Sequence, residues 1–93
     1  MLDCGAMKIP ANERKVVLIT GAASGIGRRT AERFLELGCD LHICDSSETN
    51  VAEFLAGNPT ATASVADVSD PEAVDRVFAD LKSRYGRLDV LVN

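Results

Sequence analysis

The residues best suited to chemistry begin at Thr20, where T20-G-A-A-S-G-I-G27 directly follows an apolar run. Glycine loses more conformational freedom on folding than any other residue, so Gly21, Gly25 and Gly27 at an element boundary require a reason. A turn of Gly, Ala and Ser between a strand and a helix keeps Cβ atoms out of a ligand's path. It also aims the free N–H groups and positive end of the next helix at whatever binds there, which suits a phosphate or pyrophosphate. A Walker A loop would close on Gly-Lys-Ser/Thr, but Arg28 follows Gly27, and G-x-G-x-x-G is absent as well. Further along stand Asp45, Asp67 and Asn93, polar residues at or just beyond the ends of apolar runs. A carboxylate at Asp45, eighteen residues beyond Gly27, is placed to accept hydrogen bonds from the hydroxyls of a ribose.

Positioning these residues takes alternating strands and helices. K15-V-V-L-I-T20 is a continuous apolar, β-branched run, as expected of a strand covered on both faces. From Gly25, Ile26, Thr30, Phe34 and Leu37 recur at helical spacing and predict one buried face, with Gly38 as a left-handed cap. C39-D-L-H-I-C-D45 reads as a second strand. A helix through Glu48 to Ala56 carries Val51, Phe54 and Leu55, and G57-N-P-T60 breaks it. A61-T-A-S-V-A66 reads as a third strand. S69-D-P-E72 starts the next helix, with either Ser69 or Asp70 as its cap. Val74, Val77, Phe78, Leu81 and Tyr85 predict its buried face, and Gly86 its end. L88-D-V-L-V-N93 is a fourth strand. The order β-α-β-α-β-α-β implies an α/β fold with a parallel sheet. With strand order 3-2-1-4, right-handed crossovers put the first two helices on one face and the third on the other.

Composition sets the boundaries. Ninety-three residues with 46% apolar and 26% charged side chains suit one soluble domain with one core. A net charge of −4 argues against a nucleic-acid partner. The opening residues lack the apolar core of a signal peptide, and no stretch approaches the ~18 apolar residues of a membrane span. Cys4, Cys39 and Cys44 are odd in number and lack metal-site spacing, so a reducing cytoplasm is expected and no metal site is assigned. Residues 1–14 read as a flexible arm, and residues 15–93 as the N-terminal half of a dinucleotide-binding domain. His42, alternating with Leu41 and Ile43, is expected to be a structural histidine. Asp75, Arg76, Asp80, Lys82 and Arg84 read as a solvated helix face.

T20-G-x-x-x-G-x-G27, the acid at Asp45, A66-D-V-S-D70 and L88-D-V-L-V-N93 together resemble the N-terminal part of the short-chain dehydrogenase/reductase family. The resemblance covers residues 15–93 and implies part of a Rossmann-type doubly wound sheet. It implies cofactor-binding roles for Gly21, Ser24, Gly25, Ile26 and Gly27 in the turn and for Asp45 at the ribose. Asp67 would meet the adenine amino group, the Val68 backbone would line the ring, and Asn93 would lie near the adenosine ribose. A basic residue at position 24 or 46 usually accompanies NADP in this family. Both are serine, and Asp45 would repel a 2′-phosphate, so NAD is expected over NADP.

The family's chemistry is carried by a Tyr-x-x-x-Lys pair and an upstream Ser. The only Tyr, Tyr85, is followed four residues on by Asp89, so no catalytic residue is assigned. The resemblance therefore implies the NAD-binding portion of an enzyme that transfers hydride between the cofactor and a secondary alcohol or carbonyl compound. The full-length enzyme would be a dimer or tetramer, and the chain itself a truncated, inactive piece of it. A non-catalytic NAD sensor or scaffold of the same fold is the alternative. S-adenosylmethionine binding shares the acid after the second strand but usually has another glycine spacing.

Overall fold

The computed structural model describes residues 13–93; the greater part of the expected arm, with Cys4, lies outside the described residues. Seven elements follow in alternation: β1 (Val16–Thr20), α1 (Gly25–Glu36), β2 (Asp40–Asp45), α2 (Glu48–Gly57), β3 (Thr62–Val65), α3 (Pro71–Tyr85) and β4 (Val90–Val92). All strand pairs are parallel, and the sheet order is β3-β2-β1-β4, as the sequence leads one to expect.

Both faces of the sheet are covered, and alternation along each strand divides the core in two. Val17 and Ile19 of β1 with Leu41 and Ile43 of β2 point to the side where Ala31 of α1 and Val51 and Phe54 of α2 pack. Val16, Leu18 and Cys44 point to the other side, against Val77 and Leu81 of α3. The first two helices thus share one face and the third covers the opposite one, the arrangement right-handed crossovers require.

Local chemistry sets the element ends. Asp70, the second of the two expected starts, caps α3 by accepting the Glu72 N–H at 3.1 Å, with Pro71 in the first turn. Gly86 closes α3 at φ 74°, and its N–H reaches the Lys82 carbonyl at 2.9 Å. Gly38 follows α1 at φ 84°. Asp89, just before β4, accepts the Val16 N–H at 2.8 Å and binds Arg87 through both carboxylate oxygens, tying the starts of β1 and β4 together.

Two helix faces depart from the expected stripes. In α1, Ile26 is 88% exposed and Leu37 51%, while Ala31 is fully buried. Ile26 lies in the first turn of the helix and Leu37 caps its end, so only the middle of α1 rests on the sheet. In α3, Phe78 is 41% exposed and Ala73 takes a buried place instead. Arg14, the last residue of the expected arm, pairs with Asp40 of β2 at 3.7 Å.

Candidate functional site

The turn after β1 combines openness with one tight contact. Gly21 and Gly25 adopt φ 63° and 57°, conformations costly for residues with a Cβ, and nothing stands within 4 Å of where a Cβ would be. Gly27 is different. A Cβ there would run into the Gly21 carbonyl and come within 3.2 Å of the Ala22 Cα. Gly27 thus lets α1 settle onto its own turn, while Gly21 and Gly25 keep the outer surface bare.

The N-terminus of α1 carries no compensating side chain of its own. Ser24 is its N-cap but makes no side-chain capping bond, and the first turn holds no acid. Backbone N–H groups of the first turn lack intrahelical acceptors by geometry, and the helix dipole adds partial positive charge. That end suits an anion.

Asp45 is fixed beside this turn. Its Oδ2 accepts the Ala23 N–H at 3.1 Å and its Oδ1 accepts the Ser47 N–H at 3.0 Å. The Gly21 N–H also donates to the Cys44 carbonyl at 2.8 Å, so the end of β2 holds the turn by two bonds. Carboxylate oxygens have room for more than one donor each, so hydroxyls of a sugar can still bind.

Asp67 and Val68 lie one step further across the sheet edge. The Ala66 N–H donates to the Asp45 carbonyl at 3.0 Å, which brings the loop after β3 alongside Asp45. Asp67 is exposed, and its Oδ1 accepts both the Ser69 N–H at 2.9 Å and the Ser69 hydroxyl at 2.7 Å. The Ser69 hydroxyl and then its N–H hold the Asp67 carboxyl below the usual carboxylate range. Its bonds stay within its own loop and none joins it to the glycine turn.

Asn93 is tied to the turn from the other side, where its Oδ1 accepts the Thr20 hydroxyl at 2.7 Å. Thr20, Val68, Phe78, Leu91 and Asn93 line an open groove between α3 and β4. The structure therefore gathers the glycine turn, Asp45 and Asn93 by direct bonds along the C-terminal edge of the sheet. Asp67 and Val68 are neighbours of that edge, and Ile26 and Ser24 are exposed on the turn itself. Sequence reasoning gave no role to Thr20, Ala23 or Ser47. Thr20 carries a visible signal, a hydroxyl at a strand end beside glycine; the other two act through backbone N–H groups, which side-chain identity does not reveal.

The family model described as short chain dehydrogenase matches residues 15–93. Among curated relatives, the human 3-keto-steroid reductase/17-beta-hydroxysteroid dehydrogenase 7 is 42% identical over 86 residues, covering 84% of this chain and 25% of that protein. Among solved structures, a 3-ketoacyl-(acyl-carrier-protein) reductase from Brucella melitensis, complexed with NADH, superposes with a TM-score of 0.79 at 35% identity, over 83% of this chain and 32% of that one. A short chain dehydrogenase/reductase from Burkholderia phymatum in complex with NAD gives a TM-score of 0.81 at 28% identity, over 89% and 31%. The chain belongs to the short-chain dehydrogenase family, and it spans a quarter to a third of the length of these relatives.

Proposed function

We propose that this member of the short-chain dehydrogenase family contributes the adenosine and pyrophosphate half of a nicotinamide-dinucleotide site to an oxidoreductase. The observation that carries this reading is the Asp45–Ala23 bond, which sets a carboxylate beside the open, uncapped start of α1. The bare surface over Gly21 and Gly25 fits a pyrophosphate approaching the backbone closely. Gly21, Ser24, Gly25, Ile26 and Gly27 would hold the phosphates, chiefly through main-chain N–H groups. Asp45 would take the adenosine ribose hydroxyls, Asp67 the adenine amino group, and the Val68 backbone the ring. Asn93, held by Thr20, would border the ribose.

The cofactor itself supplies the hydride chemistry. The residues of this chain bind and orient. The negative charge at Asp45, with Ser24 and Ser46 in place of a cation, favours NAD over NADP. The whole protein would act on a small secondary alcohol or carbonyl compound, in the cytoplasm and as a homo-oligomer, with its acid/base residues outside these 93. Residues 15–93 would then form the N-terminal half of the dinucleotide domain.

Calorimetric titration of the full chain with NAD, NADP, adenosine and S-adenosylmethionine tests this reading. Weak NAD binding, competed by adenosine and not by S-adenosylmethionine, is the expected result, together with no turnover of alcohols by the chain alone. Binding of S-adenosylmethionine but not NAD would overturn it.

A further inference from the structure

His42 is the one buried polar residue of the described core, with no exposed surface, and the cofactor site makes no use of it. Its Nδ1 lies 2.7 Å from the Thr62 hydroxyl and its Nε2 2.8 Å from the Ser64 hydroxyl. Thr62 continues to the Tyr85 hydroxyl at 2.8 Å, and Ser64 donates to Asp80 Oδ2 at 3.0 Å. Five side chains from β2, β3 and α3 thus form one line, and no buried side-chain N or O among the described residues lacks a partner.

The chemistry of the two ends orients the line. An ionised carboxylate only accepts, so Asp80 takes the Ser64 proton and leaves the Ser64 oxygen to accept from His42 Nε2–H. Neutral imidazole has one donor and one acceptor, so Nδ1 must accept the Thr62 proton, and Thr62 then accepts from Tyr85. Every contact is satisfied once by the neutral Nε2–H form. A second proton on Nδ1 would point two donors at each other. Thr62 or Tyr85 would have to turn to the Leu41 carbonyl, 3.4 Å from each, exchanging a short bond for a long one.

We propose that the Tyr85–Thr62–His42–Ser64–Asp80 line is an acid-sensitive latch, holding β3 and α3 to β2 while His42 is neutral and loosening them when it is protonated. The groups facing the imidazole agree with this. β1 presents Leu18 at its register and β3 presents Thr62, neither of them charged. From α3 come Asp80, Arg84 and Tyr85. Burial pushes the His42 imidazole down from its ordinary value, Asp80 partly offsets this, and Arg84 adds to the lowering. With the folded value below the unfolded one, the unfolded chain binds more protons as the pH falls. Stability is therefore complete above about 6.5 and is lost as the pH drops from there through the folded value.

Long-range imidazole 15N correlations on the full chain read the latch directly. The expected result is the Nε2–H form at pH 7.5 and a titration midpoint below about 6.5. A midpoint at or above that value, or the Nδ1–H form, overturns the proposal. Amide protection factors should fall between pH 7.5 and pH 5 in β3 and α3 and hold in β1, whereas a uniform fall counts against the latch. Asp80→Ala, which leaves the imidazole in place, should move the midpoint lower, and an unchanged or higher midpoint removes Asp80 from the line. In His42→Gln the acid-dependent loss of Tm, roughly 5 °C in the parent chain, should shrink by at least half; an undiminished loss assigns it to other groups.

Discussion

Three glycines within seven residues serve two different ends, and substitution separates them. Gly27→Ala drives a methyl group into backbone atoms of the Gly21 turn, which have no rotamer to yield. The cost is expected to reach about 3 kcal/mol, at the upper end of overpacking penalties, and urea unfolding measures it. Gly21→Ala and Gly25→Ala meet no neighbour but hold a positive φ, so each is expected to cost about 1–2 kcal/mol and to obstruct the open surface. Equal losses at all three positions would show that Gly27 does not pack as described. Asp45 presents a second residue-scale contrast. Under the proposed role, Asp45→Ala with Ser46→Arg moves the NAD/NADP affinity ratio toward NADP by tenfold or more, since a 2′-phosphate then meets a cation in place of a carboxylate. Competition titrations with the two dinucleotides measure the ratio, and no movement would displace the ribose from Asp45.

Bonds at strand and helix ends add to the apolar core and the His42 line in joining the elements, and the one at Asp89 is pH-dependent. Asp89 joins β4 to the first N–H of β1. The Val16 N–H, with Arg87 helping, holds the Asp89 carboxyl below its ordinary range. A depressed carboxyl contributes stability that is present above pH ~4 and is lost as the pH falls through the folded value. Asp89→Asn should therefore lower Tm at pH 7, by an amount that shrinks as the pH falls below ~4, as scanning calorimetry across that range would show. The elements themselves are legible in sequence, because β1's unbroken apolar run, Asp70-Pro71 and the two terminal glycines are local signals. Exposure along each helix is less so. Ile26 and Phe78 keep helical spacing yet face outward, since periodicity gives a side without saying how far the sheet extends beneath it. The candidate site divides in the same way. Gly21, Gly25, Gly27 and Asp45 announce themselves by type and spacing, whereas the Ala23 N–H that anchors Asp45 is common to almost any residue. Asp80 reads as a solvated charge because its partner, Ser64, is sixteen positions away and meets it only once α3 docks.

At the scale of the whole molecule, the two faces of the sheet are covered unequally. α1 and α2 bury one side around Phe54, which is fully enclosed. Among the described residues α3 alone covers the other, and toward β4 that cover thins, leaving Val68 52%, Phe78 41% and Leu91 53% exposed along one groove. β4, with three residues, is also an edge strand, paired among the described strands with β1 alone. Contiguous apolar surface beside an open edge favours association, because burying it gains roughly 25 cal/mol per Å². The chain on its own is therefore expected to self-associate as its concentration rises, with sedimentation velocity showing species heavier than the 9.9 kDa monomer. Phe78→Ser with Leu91→Ser should return it to the monomer, and the exposure of both side chains means the fold should tolerate the change. Were the double variant to associate as strongly as the parent, the contact would lie elsewhere on the surface, and the thin cover beside β4 would have no bearing on it.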